Sequence, residues 1–213
     1  LFSGGNDGLI YASYGNVIFN NFLNFNLYEA FRGLESVFYF PSSIRYFWPL
    51  NKFIFGETFF GFILISFLYP IVFFYIFKYL FGTMFSIILT AIVTLTRLFE
   101  GYALCVINMI QHINAGDAEP LAIFLLLSSL LIFLKITKGI IGFNSKFYSF
   151  LLGFLLFLSV SLRPNFFPTA LIFILVFAFY IFKYHKNYKS LFFANIGFLF
   201  ILLIPLHNYY YGN

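Results

Sequence analysis

Cysteine and charge are both scarce in this chain of 213 residues. The single cysteine, Cys105, excludes an internal disulfide and any metal site built from several cysteines. Only 9% of the residues are charged and 62% are hydrophobic, whereas a soluble domain has about 25% charged and about 45–50% apolar residues. With a mean hydropathy of +0.94, the composition predicts an integral membrane protein. The formal net charge of +5 does not indicate a nucleic-acid partner, because the basic residues form no cluster on a soluble face.

Six uncharged apolar stretches are candidates for transmembrane helices, each of which needs about 17–25 residues to cross a bilayer. They predict an all-α fold, a polytopic transmembrane helix bundle forming a single domain over residues 58–213. Residues 1–57 precede it as a separate loop. Because the chain begins with Leu and stops after a hydrophobic segment, we expect it to be truncated at both ends. The predicted spans are 58–77, 79–96, 120–134, 147–162, 165–182 and 190–206.

The charges between these stretches alternate from one connection to the next. Seven lysines and no acid occupy one set of connections, in which Lys78 is predicted to close the first hairpin. All seven acids and all four arginines lie in the other set. Lysine-rich loops are typical of the cytoplasmic side, so the acidic connections are predicted to be extracytoplasmic, most simply at a bacterial inner membrane. The seven lysines are Lys78, Lys135, Lys138, Lys146, Lys183, Lys186 and Lys189.

The segment 1–57 is predicted to be an extracytoplasmic loop that carries amphipathic interfacial helices. Aromatic and aliphatic residues recur there at helical spacing with asparagines between them, which is typical of a helix lying on a membrane surface. A second stretch, 102–113, is apolar but too short to span, and we interpret it as interfacial or re-entrant. The helical spacing involves Tyr11, Tyr14, Ile18, Phe22 and Phe25.

Acidic residues on the predicted outer side form two candidate sites. Asp7 lies in the Gly-rich stretch GGNDG, where a turn or helix cap is the simpler interpretation. The stretch QHINAGDAEPL holds His112, Asp117 and Glu119 before Pro120. A helix start explains the proline and one acid, and leaves the other acid and the histidine unexplained. No second histidine lies at zinc-binding spacing, whereas two carboxylates suit a hard cation such as Mg²⁺ or Mn²⁺.

Arginine supplies the third candidate, in the sequence SLRPN at the outer junction of two predicted spans. A lone Arg at this depth is often a snorkelling anchor. Its guanidinium is also suited to bidentate binding of phosphate, and Pro164 restricts the backbone beside Arg163. Arg45 is a weaker candidate for the same role.

In the order of its loops and helices the chain resembles the GT-C superfamily of polytopic glycosyltransferases, related to protein mannosyltransferases and aminoarabinose transferases. The resemblance implies transfer of a sugar from a polyprenyl-phosphate-linked donor to a glycan, lipid or protein acceptor at the extracytoplasmic face. It implies that Asp7 is the general base, that Arg163 binds the donor phosphate, and that Asp117 and Glu119 bind a cation or position the substrates. The segments that carry it are GGNDGLIY, IRYFWPLNKFIFGETFFGF, NAGDAEPLAIFLLL and LLGFLLFLSVSLRPNFFPTAL.

Three other functions are compatible with these patterns. A transporter or flippase needs ionisable residues inside the spans and broken helices near the midplane, and the predicted spans are almost free of charge. A polymerase or ligase of surface polysaccharide would also use outer arginines and acids. A non-catalytic membrane subunit would need none of them.

Overall fold

The computed structural model describes residues 6–33, 42–95, 110–113, 116–140, 146–185 and 188–211, and these residues form helices and short connections without a strand. The predicted all-α fold class is therefore confirmed. A 3₁₀ turn precedes α8, a π-helical turn follows it, and another 3₁₀ turn joins α9 to α10. The ten α-helices of the described part are α1 (Asn6–Leu23), α2 (Leu27–Arg32), α3 (Ser42–Phe55), α4 (Phe60–Phe81), α5 (Thr83–Leu95), α6 (Ala118–Thr137), α7 (Lys146–Leu162), α8 (Phe167–Tyr180), α9 (Tyr188–Leu199) and α10 (Leu203–Tyr211).

Four helical segments are long and apolar enough to cross a membrane, and two further apolar helices, α5 and α7, are shorter. All six overlap the stretches predicted as spans from the sequence. The chain is thus an integral multi-pass membrane protein by the length and composition of its helices. The four longer segments are Phe60–Phe81, Ala118–Thr137, Pro164–Tyr184 and Tyr188–Tyr211.

The first hairpin closes later than predicted. Lys78 lies inside α4, which continues to Phe81, and the chain turns at Gly82 with a φ of +87°. A long lysine side chain can remain in the last turn of a helix because its amine reaches the interface while its methylenes stay in apolar surroundings. The prediction that Lys78 closes the hairpin is therefore wrong, and glycine closes it because it adopts a positive φ at little cost.

The helix α7 lies at the centre of the bundle and packs against α6 and α9. It runs antiparallel to α6, since the Ser159 hydroxyl donates to the Ala122 carbonyl (2.9 Å). It runs parallel to α9, where Gly153 and Gly197 allow the two backbones to touch. A Cβ built on Gly153 would lie 2.9 Å from the backbone nitrogen of Phe198, closer than real Cβ atoms approach other atoms. This close approach of small residues is typical of helix pairs in membranes.

Contacts between helices place the predicted inner loops at one end of the bundle, which we call the lysine end. The ammonium groups of Lys78 and Lys135 lie 5.9 Å and 5.8 Å from the ring of Tyr75. The Tyr180 hydroxyl donates to the Thr137 carbonyl nearby (3.1 Å). These contacts bring the ends of α4, α6 and α8 together, as six alternating passes require.

The opposite end, which we call the arginine end, holds Glu119, Arg163 and the layer α1–α3. Arg163 forms an ion pair there with Glu119, and the Ser43 and Ser161 hydroxyls are 2.5 Å apart across α3 and α7. Lys78 and Lys135 therefore lie at one end of the bundle, and the pair of Glu119 and Arg163 lies at the other.

The helix α1 is amphipathic, as predicted. Tyr11, Tyr14 and Ile18 are buried, whereas Asn16 and Asn20 are exposed. The buried face packs on α3, where Gly15 lets the Trp48 side chain approach the α1 backbone. The helix ends at Leu23, so its predicted continuation to Phe25 is wrong: Phe25 has a φ of +56° and is exposed.

Asn51 joins α3 to the start of α4. Its side-chain oxygen accepts from the Gly61 backbone N–H (2.9 Å), and its side-chain nitrogen donates to the Thr58 carbonyl (2.5 Å). The residue before α4, Phe59, cannot cap the helix with its side chain. Asn51 therefore supplies the cap from the preceding helix.

We expect Asn51→Ala to lower the free energy of unfolding by about 1–2 kcal/mol, because it leaves two backbone groups without partners. Thermal unfolding of the purified protein in detergent measures the effect. The matched control is Asn20→Ala, at an exposed position of α1, which is expected to change stability by less than about 0.5 kcal/mol. Equal effects of the two substitutions would contradict the capping role.

Candidate functional site

The stretch before α6 is held by a turn that ends in a left-handed glycine. The Gly116 N–H donates to the Ile113 carbonyl (2.9 Å) and the Asp117 N–H donates to the His112 carbonyl (3.0 Å). With Gly116 at a φ of +83°, these bonds form the Schellman pattern found at helix C-termini. These backbone hydrogen bonds hold His112 and Asp117 at a distance at which their side chains can interact.

His112 and Asp117 form a pair at this turn. Their side chains meet at 2.8 Å, between Nδ1 and Oδ2. The Asp117 side chain is 16% exposed and that of His112 is 52% exposed. An aspartate that accepts from Nδ1–H orients the ring and leaves Nε2 to face solvent. The pair can therefore present Nε2 to a hydroxyl group of a substrate.

The start of α6 explains part of the polarity of this stretch. Asp117 occupies the N-cap position and Pro120 is the third residue of the helix, as the helix-start interpretation predicts. Asp117 makes no side-chain capping bond, however, because its carboxylate is turned towards His112. Glu119, in the first turn, interacts with Arg163, which follows the neighbouring helix α7. Both residues left unexplained by a simple helix start have partners in the structure.

Arg163 is placed between α7 and the 3₁₀ turn that begins at Pro164, with an extended backbone (φ −141°, ψ 100°). Its Nη2 contacts Oε1 of Glu119, and its side chain is 25% exposed against 54% for Glu119. Its Nε is buried and has no hydrogen-bond partner among the residues that the structure describes. The Nε and Nη2 donors form one edge of the guanidinium plane, which a phosphate can contact with two oxygens. Only one of these two donors is in use.

The predicted base, Asp7, is the second residue of α1. The structure describes its backbone, and its side chain lies outside the described atoms. Its neighbour Gly8 packs against Gly116: a Cβ on Gly116 would lie 3.4 Å from the Gly8 Cα. The first turn of α1 therefore contacts the turn that holds His112 and Asp117.

Arg45, the weaker candidate for phosphate binding, is buried among the outer helices. It is 2% exposed, its Nη1 donates to the Gly33 carbonyl (2.8 Å), and its guanidinium lies 5.1 Å from the ring of Tyr14. These contacts tie α3 to the end of α2 and to α1. Arg45 is therefore not part of the site proposed below.

An apolar cavity of about 350 Å³ lies between α3, α4, α6 and α7. Its size falls within the range of ligand pockets. Leu162, directly before Arg163, and Leu121, two residues after Glu119, both line it. The ion pair is thus adjacent in sequence to the cavity wall on two helices. The lining side chains are Ser43, Tyr46, Phe47, Leu50, Ile65, Leu121, Phe124, Leu125, Leu158 and Leu162.

A polar contact that the sequence analysis missed joins the last helix to the outer layer. The Tyr46 hydroxyl donates to the Phe31 carbonyl, and Nε2 of His207 lies 3.0 Å from that hydroxyl and 2.6 Å from the same carbonyl. Burial raises the pKa of Tyr46 to about 12, so its hydroxyl keeps its proton at neutral pH. The available signal was His207 itself, an ionisable residue in an otherwise uncharged helix.

Asp117 and Glu119 supply only part of the ligand set that the predicted cation needs. Their carboxylates face different basic partners, His112 and Arg163. Among the described residues, no group of three or more His, Cys, Asp and Glu side chains is gathered as a metal site requires. Two carboxylates supply at most part of the six or more oxygen ligands of a divalent cation, and water or a substrate would supply the others. The cation stays a prediction.

Comparison with protein-family models, with curated proteins and with solved structures gave no match to this chain.

Proposed function

We propose that the protein is a membrane glycosyltransferase that moves a sugar from a polyprenyl-phosphate-linked donor to an acceptor at the arginine end, on the extracytoplasmic side. The observation that carries this proposal is the guanidinium edge of Arg163, whose Nε has no partner among the described residues, directly after Leu162 in the wall of an apolar cavity. A phosphate attached to a hydrocarbon chain needs both features, since its anionic part requires a fixed cation and its lipid part requires apolar surroundings.

In the proposed complex the donor phosphate binds Nε and Nη2 of Arg163, and Glu119 moves aside to admit it. Glu119 is half-exposed, so its carboxylate can turn to solvent at low cost. The isoprenoid chain enters the cavity between α3, α4, α6 and α7. The sugar then lies towards the first turn of α1 and the pair of His112 and Asp117.

The proposed reaction is a displacement at the anomeric carbon. An acceptor hydroxyl oxygen forms a bond to that carbon while the bond from the carbon to the phosphate oxygen breaks. The electron pair of the broken bond stays on the phosphate, and the hydroxyl proton passes to the carboxylate of Asp7. Arg163 stabilises the charge that develops on the leaving phosphate. Nε2 of His112 holds a hydroxyl group of one substrate.

The distribution of charge along the helices supports an enzyme over a transporter. In the four longest apolar segments the charged residues lie in the first or last turns of the helices, as Lys78, Glu119 and Lys183 do. A transporter pathway needs ionisable groups near the middle of the membrane.

The test is release of polyprenyl phosphate by the full chain in lipid vesicles, supplied with a panel of labelled polyprenyl-phosphate hexoses and pentoses and a mixture of glycan and lipid acceptors. Release coupled to labelling of an acceptor is the expected result. A parent protein that binds and consumes none of these donors overturns the proposal.

We expect Asp7→Asn to lower the turnover number in this assay by about 10²-fold, because an amide cannot take the proton of the acceptor. The donor affinity should stay within about twofold of the parent value, since Asp7 acts on the acceptor. Asn16→Asp, which adds an acid on the exposed face of the same helix, is the matched control. Unchanged turnover of the Asp7 variant would remove Asp7 as the base.

A further inference from the structure

The contact between Glu119 and Arg163 poses a question that the proposed transfer leaves open. An acid that pairs with the phosphate-binding arginine competes with every anionic ligand of that arginine. Such competition weakens donor binding, so a role for Glu119 has to lie in another step.

The donor and the product carry different charges on the phosphate, the group that Arg163 is proposed to bind. The donor phosphate is a diester and carries one negative charge. The product is a monoester, whose second ionisation has a pKa of about 6, so that it carries nearly two negative charges at pH 8. A neighbouring carboxylate therefore repels the product about twice as strongly as the donor.

We propose, on the basis of the function proposed above, that Glu119 is a specificity-determining residue that favours the monoanionic donor over the dianionic product and so promotes release of polyprenyl phosphate. When the sugar leaves, the charge on the phosphate increases beside the Glu119 carboxylate. Glu119 then returns to Nη2 of Arg163, the contact that the structure shows.

The geometry explains why the carboxylate competes without blocking the site. Glu119 engages one donor of the guanidinium edge, and within the described part of the chain the buried Nε has no hydrogen-bond partner. A phosphate that uses both donors satisfies Nε as well, so the donor displaces Glu119 in spite of the competition. Glu119 also lies in the first turn of α6, where the helix start holds it near Arg163.

The size of the effect follows from one additional unit of charge. We take this charge to lie about 6 Å from the Glu119 carboxylate, in surroundings less polar than water. Its repulsion by the carboxylate then changes the affinity about three- to tenfold. Glu119→Gln keeps the shape of the side chain and removes its charge. We expect it to lower the dissociation constant of a prenyl monophosphate about three- to tenfold more than that of the corresponding prenyl methyl phosphodiester.

The experiment measures binding of these two probes to the full chain in lipid nanodiscs at pH 8. Four proteins are compared: the parent, Glu119→Gln, Arg163→Gln, and the control Glu57→Gln. Glu57 is an exposed acid paired with Lys52 (2.7 Å), and its substitution removes the same charge away from Arg163. Only Glu119→Gln should change the ratio of the two dissociation constants in favour of the monoester.

The outcomes separate this inference from the proposed function. If Arg163→Gln weakens both probes while Glu119→Gln leaves their ratio unchanged, the role of Glu119 is overturned and the phosphate site stands. If neither probe binds the parent, or Arg163→Gln affects neither, both proposals fail. A change of the same size in Glu57→Gln would show a general charge effect and would also overturn the role of Glu119.

Discussion

Replacing Arg163 by Gln is expected to lower kcat/KM for sugar transfer by about 10²–10³-fold. The substitution removes the fixed charge opposite the leaving phosphate and the N–H pair that would bind two of its oxygens. Gln offers one amide group in place of the planar guanidinium, so we expect the affinity for the donor to decrease as well. The measurement is the initial rate of polyprenyl phosphate release over a range of donor concentrations.

Two further variants make this result specific. Arg163→Gln leaves Glu119 without its partner, so the double variant Arg163→Gln with Glu119→Gln restores the charge balance of the pair. We expect the double variant to stay as inactive as the single one. Arg32→Gln removes the same charge from an exposed pair with Glu29 and should keep activity within about twofold. A double variant with parental activity would show that Arg163 serves only to neutralise Glu119.

Replacing Gly153 by Leu is expected to lower the free energy of unfolding by about 3 kcal/mol or more. The added side chain meets the backbone of α9, at the Ala194 carbonyl and the Phe198 nitrogen. A helix backbone cannot change its conformation to make room as a flexible side chain can. The helices α7 and α9 therefore have to separate. A glycine in the middle of a helix ordinarily costs about 1 kcal/mol relative to alanine, and the close approach of the two helices accounts for its presence here.

Ala91→Leu is the matched control for this prediction, because Ala91 is exposed on α5. Thermal unfolding in detergent should show a large decrease in stability for Gly153→Leu and almost none for Ala91→Leu. Equal unfolding temperatures for the parent and Gly153→Leu would contradict the packing of α7 against α9.

The fold was predictable from the sequence because lipid imposes a simple requirement. A chain in a bilayer must satisfy its backbone groups internally, so each long apolar stretch becomes a helix. The ends of helices were less predictable, since they depend on local detail. Lys78 remained helical, with its amine 5.9 Å from the ring of Tyr75 in the preceding turn, and Phe25 left the helix at a backbone position with positive φ.

The partners in the candidate site could not be predicted in the same way. Asp117, Glu119 and Arg163 were identified as candidates from their residue types and their predicted side of the membrane. Their pairing depends on which helices are neighbours, and Glu119 and Arg163 are far apart in the chain. Arg45 shows the opposite case: it has the same residue type, but its position facing Tyr14 makes it part of the packing.

The length of α7 has a consequence for the lipid around the protein. Its 17 residues extend about 26 Å, whereas the hydrocarbon core of a typical bilayer is about 30 Å thick. With Lys146 at one interface, Arg163 lies about 4 Å inside the other unless the bilayer becomes thinner beside it. A thinner bilayer brings lipid headgroups down to the level of the guanidinium. In a bilayer of that reduced thickness, Arg163 and the lipid phosphates would lie at the same depth.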